Sequence, residues 1–346
     1  MSRTAPRTRK LAAVAAACTL TALVAGCGAV QTGAAAGAGS GSKAGKTIKV
    51  AMVPKLVGLA VFKANQQGAQ VAAKNLNIDF TYTGPVDASA QGQVQVFNSL
   101  TAQRYDVITT TANNPSVLAP SLIQARKQGI KVVSYDSDVL PQARDFFIQN
   151  TSYPAFGKAL VECVAPHTGR NAEITVLSSD PDATIQGEWL KATNAYLKAN
   201  YPGLKVVTTQ YGHSSPSESL TAAQNILQAY PNVKAIIAPD GAAEAGAAEA
   251  VKKLGKTGKV VVTGSSDPAS IRQYVKSGII PCSPLWDETK EGQLVMQVSR
   301  LAADGKIGPN STFAAGGLGT FTAKNGVIVF SKPLIFTKDN IDNYQW

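Results

Sequence analysis

From residue 47 onward, short runs rich in β-branched residues alternate with longer stretches of amphipathic pattern. The short runs suit strands of a parallel sheet and the long ones helices that cover it. Strands are predicted at Ile48 to Val53, Ile78 to Tyr82, Val107 to Thr110 and Val132 to Tyr135. Helices fall between them near Phe62 to Asn75, Gln91 to Ala102 and Ser116 to Gln128, the last closed by Gly129. A second series places strands at Ile174 to Leu177, Val206 to Tyr211, Ala235 to Ala238 and Val260 to Thr263. Its helices lie near Thr184 to Ala199, Ser217 to Tyr230 and Ala242 to Leu254.

The two series keep one rhythm. Matching Val50 with Thr175, Phe80 with Thr208, Val107 with Ile236 and Val132 with Val260 gives offsets of 125, 128, 129 and 128 residues. A strand and helix pattern repeated at a nearly constant offset predicts two similar α/β lobes, each with its own sheet. In open parallel sheets a ligand binds beyond the carboxyl ends of the strands. Here those ends read Pro54-Lys55, Gly84-Pro85-Val86-Asp87, Thr111-Ala112-Asn113-Asn114 and Asp136-Ser137-Asp138 in the first series. In the second they read Ser179-Asp180-Pro181-Asp182, His213-Ser214-Ser215, Pro239-Asp240-Gly241 and Ser265-Ser266-Asp267. Uncharged hydrogen-bonding groups and carboxylates dominate both sets, so two facing lobes would enclose a small polar molecule and exclude water by closing.

The amino terminus is different in kind. Arg3, Arg7, Arg9 and Lys10 precede an uncharged apolar stretch from Leu11 to Gly26, and no acid occurs before Asp79. About 16 apolar residues are few for a membrane span, and the arrangement reads as an export signal over residues 1–26. Its end, Leu23-Val24-Ala25-Gly26-Cys27, resembles a bacterial lipobox, which implies cleavage and lipid attachment at Cys27. Residues 27–46 are almost wholly Gly, Ala and Ser and are expected to be a flexible tether. Gly45-Lys46-Thr47 looks like the close of a phosphate loop, but Ser40 stands where the first glycine is needed, and the segment precedes a strand instead of following one.

This changes how the charge is read. The 346 residues carry 33 Lys and Arg against 22 Asp and Glu, a net +11 that invites a nucleic-acid reading. Removing residues 1–26 takes four cations and no anions and leaves 29 against 22, or +7. Without interleaved aromatic and basic residues, and with a tether where a helix-turn-helix would have to lie, no nucleic-acid partner is expected. Cys18 leaves with the signal, so Cys163 and Cys282 remain either to pair after export or to stay as two buried thiols.

Asp136 ends an apolar strand, and with Asp138 two positions on it offers a bidentate acceptor for vicinal hydroxyls. Lys55 follows Pro54 at a strand end. Trp286 beside Asp287 offers a flat face for sugar C–H groups with a carboxylate next to it. Phe62 near the first helix start is a candidate lining residue, Gln186 lies in the first turn of a helix aimed at the expected cleft, and Asp240 stands before an Ala-rich helix. Competing roles are a helix cap for Asp138 and Asp240 and core packing for Phe62 and Trp286. His167 and His213 lack partners at metal-binding or catalytic spacing, so no metal, cofactor or catalytic residue is expected.

Four segments carry a family resemblance: Pro54-Lys55-Leu56-Val57-Gly58, Tyr135-Asp136-Ser137-Asp138, Ile237-Ala238-Pro239-Asp240 and Leu285-Trp286-Asp287. In this order they resemble the type I periplasmic binding proteins, most of all the autoinducer-2 and rhamnose receptors of ABC importers. The resemblance covers residues 47–346 and implies two Rossmann-like lobes, a ligand cleft between them and three interlobe crossings. It places one lobe at 47–150 plus about 284–315 and the other at 151–283 plus about 316–346. Lys55 and Asp136 would then contact ligand hydroxyls from the first lobe, and Gln186, the Pro239 carbonyl and the backbone at Gly241 from the second. Ile185 stands where the autoinducer-2 receptors have an aspartate, and Gly241 where they have alanine, which favours a deoxysugar or other monosaccharide. The implied protein is a monomer anchored to the outer face of the cell membrane, with a small sugar or polyol and a membrane permease as partners. A sensory receptor for the same ligands and an exported carbohydrate-active enzyme are the competing functions.

Overall fold

The computed structural model describes residues 46–87 and 89–346. The expected signal, Cys27 and the tether up to residue 45 lie outside the described residues.

The first strand series forms a sheet as its sequence dictates. β1 (Ile48–Val53), β3 (Val107–Thr110) and β4 (Lys131–Tyr135) are almost continuously buried, which is why they read as unbroken apolar or β-branched runs, whereas β2 (Ile78–Tyr82) is a half-buried edge. The crossover helices are α1 (Ala60–Asn75), α2 (Ala90–Ala102) and α3 (Pro115–Lys127). Ser89 caps α2 through the Gly92 amide at 3.0 Å, and Asn114 caps α3 through the Ser116 and Val117 amides at 3.1 Å each. Pro115 takes the first helical position of α3, where its missing N–H removes no bond.

The second series repeats the plan with β6 (Ala172–Ser178), β7 (Leu204–Tyr211), β8 (Ala235–Ala238) and β9 (Val261–Gly264). α5 (Thr184–Asn200), α6 (Pro216–Ala229) and α7 (Gly241–Lys253) connect them, and α8 (Pro268–Lys276) follows. In both sheets the parallel order is second, first, third, fourth: β2-β1-β3-β4 and β7-β6-β8-β9. The registers also correspond. Val50 lies opposite Phe80 and Val107, and Thr175 lies opposite Thr208 and Ile236. The residues matched by offset in the first three strands therefore occupy equivalent sheet positions, whereas in the fourth Lys131 corresponds to Val262 and the match of Val132 with Val260 does not hold.

Other elements join the two sheets. β5 (Phe146–Thr151) pairs with β4, after which α4 (Tyr153–Thr168) carries Phe156, Leu160 and Val161 into the apolar core of the second sheet. β10 (Ser283–Leu285) runs back, and α9 (Glu288–Ala303) packs Leu294, Val295 and Val298 into the first core against α1. β11 (Thr312–Ala314), β12 (Thr320–Lys324) and β13 (Val327–Ser331) extend the first sheet to eight strands, β13 lying parallel to β5. β14 (Leu334–Phe336) then pairs antiparallel with β10. The chain thus passes between the sheets three times. The final return expected at about residue 316 falls instead after Ser331, because Val327 to Ser331 are held in the first sheet by pairing with Phe147 to Thr151.

Helices α1 and α9 touch backbone to backbone. A Cβ on Gly68 would lie 1.8 Å from the Thr289 carbonyl oxygen, and one on Gly292 would lie 2.0 Å from the Asn65 carbonyl oxygen. Cys163 on α4 is bonded to Cys282, with their Cα atoms 5.3 Å apart, and so joins α4 to the approach of β10.

Candidate functional site

Lys55 follows β1 and Asp136 follows β4, two strands on either side of β3 in the first sheet. The structure brings their side chains together, with Nζ 3.6 Å from Oδ2. Asp136 holds φ of 56°, a left-handed backbone that is unusual for a residue with a side chain. Strain of this kind persists where surrounding contacts over-determine it. Those contacts are present: Thr111 Oγ1 donates to Oδ2 at 2.8 Å, and Ser137 Oγ donates to the same oxygen at 3.4 Å. Asn150 at the end of β5 is satisfied on both sides when its amide nitrogen donates to the Asp136 carbonyl at 3.3 Å and its oxygen accepts from Trp286 Nε1 at 3.0 Å.

The loop carrying Lys55 is fixed in the same manner. Buried Gln93 donates to the Pro54 carbonyl at 3.1 Å and the Thr111 carbonyl at 2.8 Å, and Asn113 donates to the Lys55 carbonyl at 2.8 Å. With both backbones held, the ammonium and carboxylate form a preset donor and acceptor pair of the kind that recognises a hydroxyl.

Other candidates have different surroundings. Asp138 is committed to Arg144, whose Nε lies 2.7 Å from Oδ1, and it also accepts from Ser134 Oγ at 2.5 Å. Burial raises its carboxyl above the ordinary range while Arg144 opposes the rise. The Asp136 and Asp138 carboxylates therefore do not act as one bidentate group. Asp287 caps α9 through the Lys290 amide at 2.9 Å, and Asp240 caps α7 through the Ala243 amide at 3.0 Å while accepting from Ser214 Oγ at 2.8 Å. Trp286 is only 4% exposed. Its ring centroid lies 6.0 Å from those of Phe156 and Trp189, so the face expected to meet a sugar is part of the second core. Phe62 is buried but stands outside the three apolar clusters.

In the second lobe, Gln186 is half-buried in the first turn of α5, Pro239 is buried at the end of β8, and the Gly241 carbonyl accepts from Ser266 Oγ. Ile185 is buried in the second core, which explains why an apolar residue occupies that position. His213 is exposed, with Nδ1 2.5 Å from Asp180 Oδ1, and that hydrogen bond raises its pKa. Among the described residues no group of three or more His, Cys, Asp or Glu side chains is placed to hold a metal ion.

Several polar residues escape the sequence reading. Tyr153 opens α4 immediately after the first crossing, and burial and then the charges of Asp138, Glu188 and Asp136 raise its hydroxyl above the ordinary value. Since Asp136 follows β4 and Glu188 lies on α5, this hydroxyl feels both lobes. Glu244 is buried on α7, where its Oε2 accepts from the Ser266 amide at 2.7 Å and from Ser283 Oγ at 3.0 Å. Burial pushes its carboxyl up to about 8. Glu288 and Glu291 are buried on α9 beside Asn65. The sequence signal that points to the last three is a glutamate on the apolar stripe of a helix.

A model described as a periplasmic binding protein domain matches residues 50–307. The chain belongs to the periplasmic binding protein family. A binding protein of this family, the D-allose-binding periplasmic protein of Escherichia coli, is 27% identical over 222 residues, covering 62% of this chain and 71% of its own. LsrB from Clostridium saccharobutylicum, solved in complex with AI-2, superposes with a TM-score of 0.79 at 26% identity over 86% of this chain and 100% of its own. An ABC transporter solute-binding protein from Clostridium phytofermentas, solved with bound L-rhamnose, gives 0.79 at 25% identity over 86% and 98%. This periplasmic binding protein thus keeps the two-lobed architecture of its relatives.

Proposed function

We propose that this periplasmic binding protein captures a monosaccharide between its lobes and delivers it to the membrane permease of an ABC importer. The observation that carries the reading is the preset Lys55 and Asp136 pair at the carboxyl ends of β1 and β4, 3.6 Å apart and held by Thr111, Asn150 and Asn113. Lys55 donates to one ligand hydroxyl and Asp136 accepts from another, each relieved of the other when the sugar enters. Gln186, the Pro239 carbonyl and the Gly241 backbone complete the set from the second lobe. Phe62 lines the first-lobe side. Relatives named for D-allose, D-xylose and ribose, and the fold neighbour holding L-rhamnose, support a sugar as the ligand class. The apolar side chain of Ile185, turned into the core, favours a monosaccharide such as a deoxysugar over autoinducer-2.

The protein works as a monomer on the outer face of the membrane, held by lipid on Cys27, as the sequence Leu23-Val24-Ala25-Gly26-Cys27 supports. Thermal denaturation with L-rhamnose, D-allose, D-ribose, D-xylose and autoinducer-2 tests the ligand class. A cognate sugar at about 100 Kd adds about 2.7 kcal/mol of stability, and silence across every sugar contradicts the reading. Cys27→Ser is expected to release the protein from membranes into the medium, as fractionation would detect.

A further inference from the structure

Close to Asp136, two carboxyl groups are buried without a cation. Glu291 is fully excluded from solvent and Glu288 is 4% exposed, three residues apart on one face of α9. Asn65 Nδ2, with two hydrogens to share, lies within hydrogen-bond distance of Glu288 Oε2 at 2.8 Å, Glu291 Oε2 at 3.2 Å and the Glu288 carbonyl at 2.8 Å. Both carboxyls therefore converge on one amide nitrogen. Two carboxylates gathered on one amide, out of water and without a cation, cannot both stay ionised cheaply, so a proton on one of the two relieves the pair.

The cage around them is tight. The glycine contacts at Gly68 and Gly292 hold α1 and α9 too close for the pair to reach solvent by separating. The groups that face it are Asn65 from α1, Tyr135 and Asp136 from β4 and its end, Tyr82 from β2 acting on Tyr135, and Trp286 from the crossing. The only charged residue on β1 or β3 is Lys49, which is exposed, and the 3-10 turn Gly316–Leu318 carries none. Among the described residues no lysine or arginine forms an ion pair with either glutamate.

We propose that Glu288 and Glu291 share one proton at neutral pH, and that this proton positions the first-lobe site by keeping a further negative charge away from Asp136 and Trp286. The inference rests on the sugar-binding reading above. Burial raises both carboxyls, and the charge of Asp136 raises both further. The coupling runs both ways: ionising the dyad acts on Asp136 as Asp136 acts on the dyad. Trp286 lowers the Glu288 carboxyl against that rise, and its Nε1 donates to Asn150 at 3.0 Å, so the same network reaches the start of α9 where the chain re-enters the first lobe. Both glutamates are positioning residues, since they act on the ligand through Asp136 and Trp286.

The test is the pH profile of affinity for the panel sugar that binds, measured by calorimetry from about pH 6 to about pH 10. Once the dyad ionises, Kd for the wild type is expected to rise toward about tenfold per pH unit. Glu288→Gln/Glu291→Gln, which leaves nothing to titrate there, is expected to remove that alkaline limb. An unchanged limb in the double variant overturns the proposal. A readout without ligand accompanies it: in a Glu244→Gln background, infrared difference spectra at neutral pH should show a protonated carboxyl band that is lost in the double variant. No such band also overturns the proposal. Should the double variant fail to fold, the single Glu291→Gln decides by the same band, which is expected to weaken and overturns the proposal if it does not. If the wild type binds no sugar at any pH, the sugar reading fails and the shared proton stands or falls on the band alone.

Discussion

Asp136 and Asp138 stand two residues apart with opposite duties. Asp136 presents its carboxylate to Lys55 from a left-handed backbone, while Asp138 is turned onto Arg144, whose side chain is 5% exposed. Asp138→Ala would leave a buried guanidinium unpaired and is expected to lower stability by up to about 3 kcal/mol, read by denaturant titration. Its effect on ligand affinity should be smaller than that of a change at Asp136. The acidic pair was legible in the sequence, but its division of labour was not, because φ at Asp136 and the reach of Arg144 depend on the loop's tertiary setting. Trp286 shows the same limit: an aromatic beside a carboxylate reads as a sugar platform, and only the packing of Phe156 and Trp189 around it reveals a core residue.

At the scale of elements, strands buried on both faces and capped crossover helices were readable because each announces itself locally. β1 to β3 and β8 coincide with the expected spans to the residue, since apolar runs between turn residues leave little choice of boundary. The late segments were not readable in this way. β13 joins the first sheet through pairing with β5 some 180 residues earlier, a contact no local pattern records. Helix α9 carries glutamates on its buried stripe, which disguises the stripe. Gly292→Ala would drive a Cβ into the Asn65 carbonyl and separate α1 from α9, with an expected destabilisation of about 1–3 kcal/mol in thermal or chemical melts.

Glu244 supplies a pH prediction for α7. Its folded value of about 8 lies above the ordinary 4.5, so the unfolded chain loses the proton first as pH rises. The stability this group contributes is complete below about pH 4.5 and is lost as pH rises through about 8. Melting temperature is therefore expected to fall between about pH 4.5 and about pH 8, and Glu244→Gln should reduce that slope.

For the whole molecule, two features set how the lobes behave. The disulfide spans 119 residues and joins α4 to the approach of β10, both next to crossings between the sheets. Replacing Cys163 and Cys282 by serine is expected to reduce stability by about 2–5 kcal/mol, and a reducing agent should lower the melting point of the wild type but not of this variant. The repeated strand order makes the second feature. Two sheets built on one plan place the carboxyl ends of their first strands, with Lys55 after β1 and Ser179 after β6, in equivalent positions. The most direct measurement of the central claim is calorimetric titration of wild type and Asp136→Ala, side by side, with the sugar that most raises the melting temperature. Saturable one-to-one binding by the wild type, lost in a variant that still folds, is the predicted result; equal affinity in the two proteins would contradict the account.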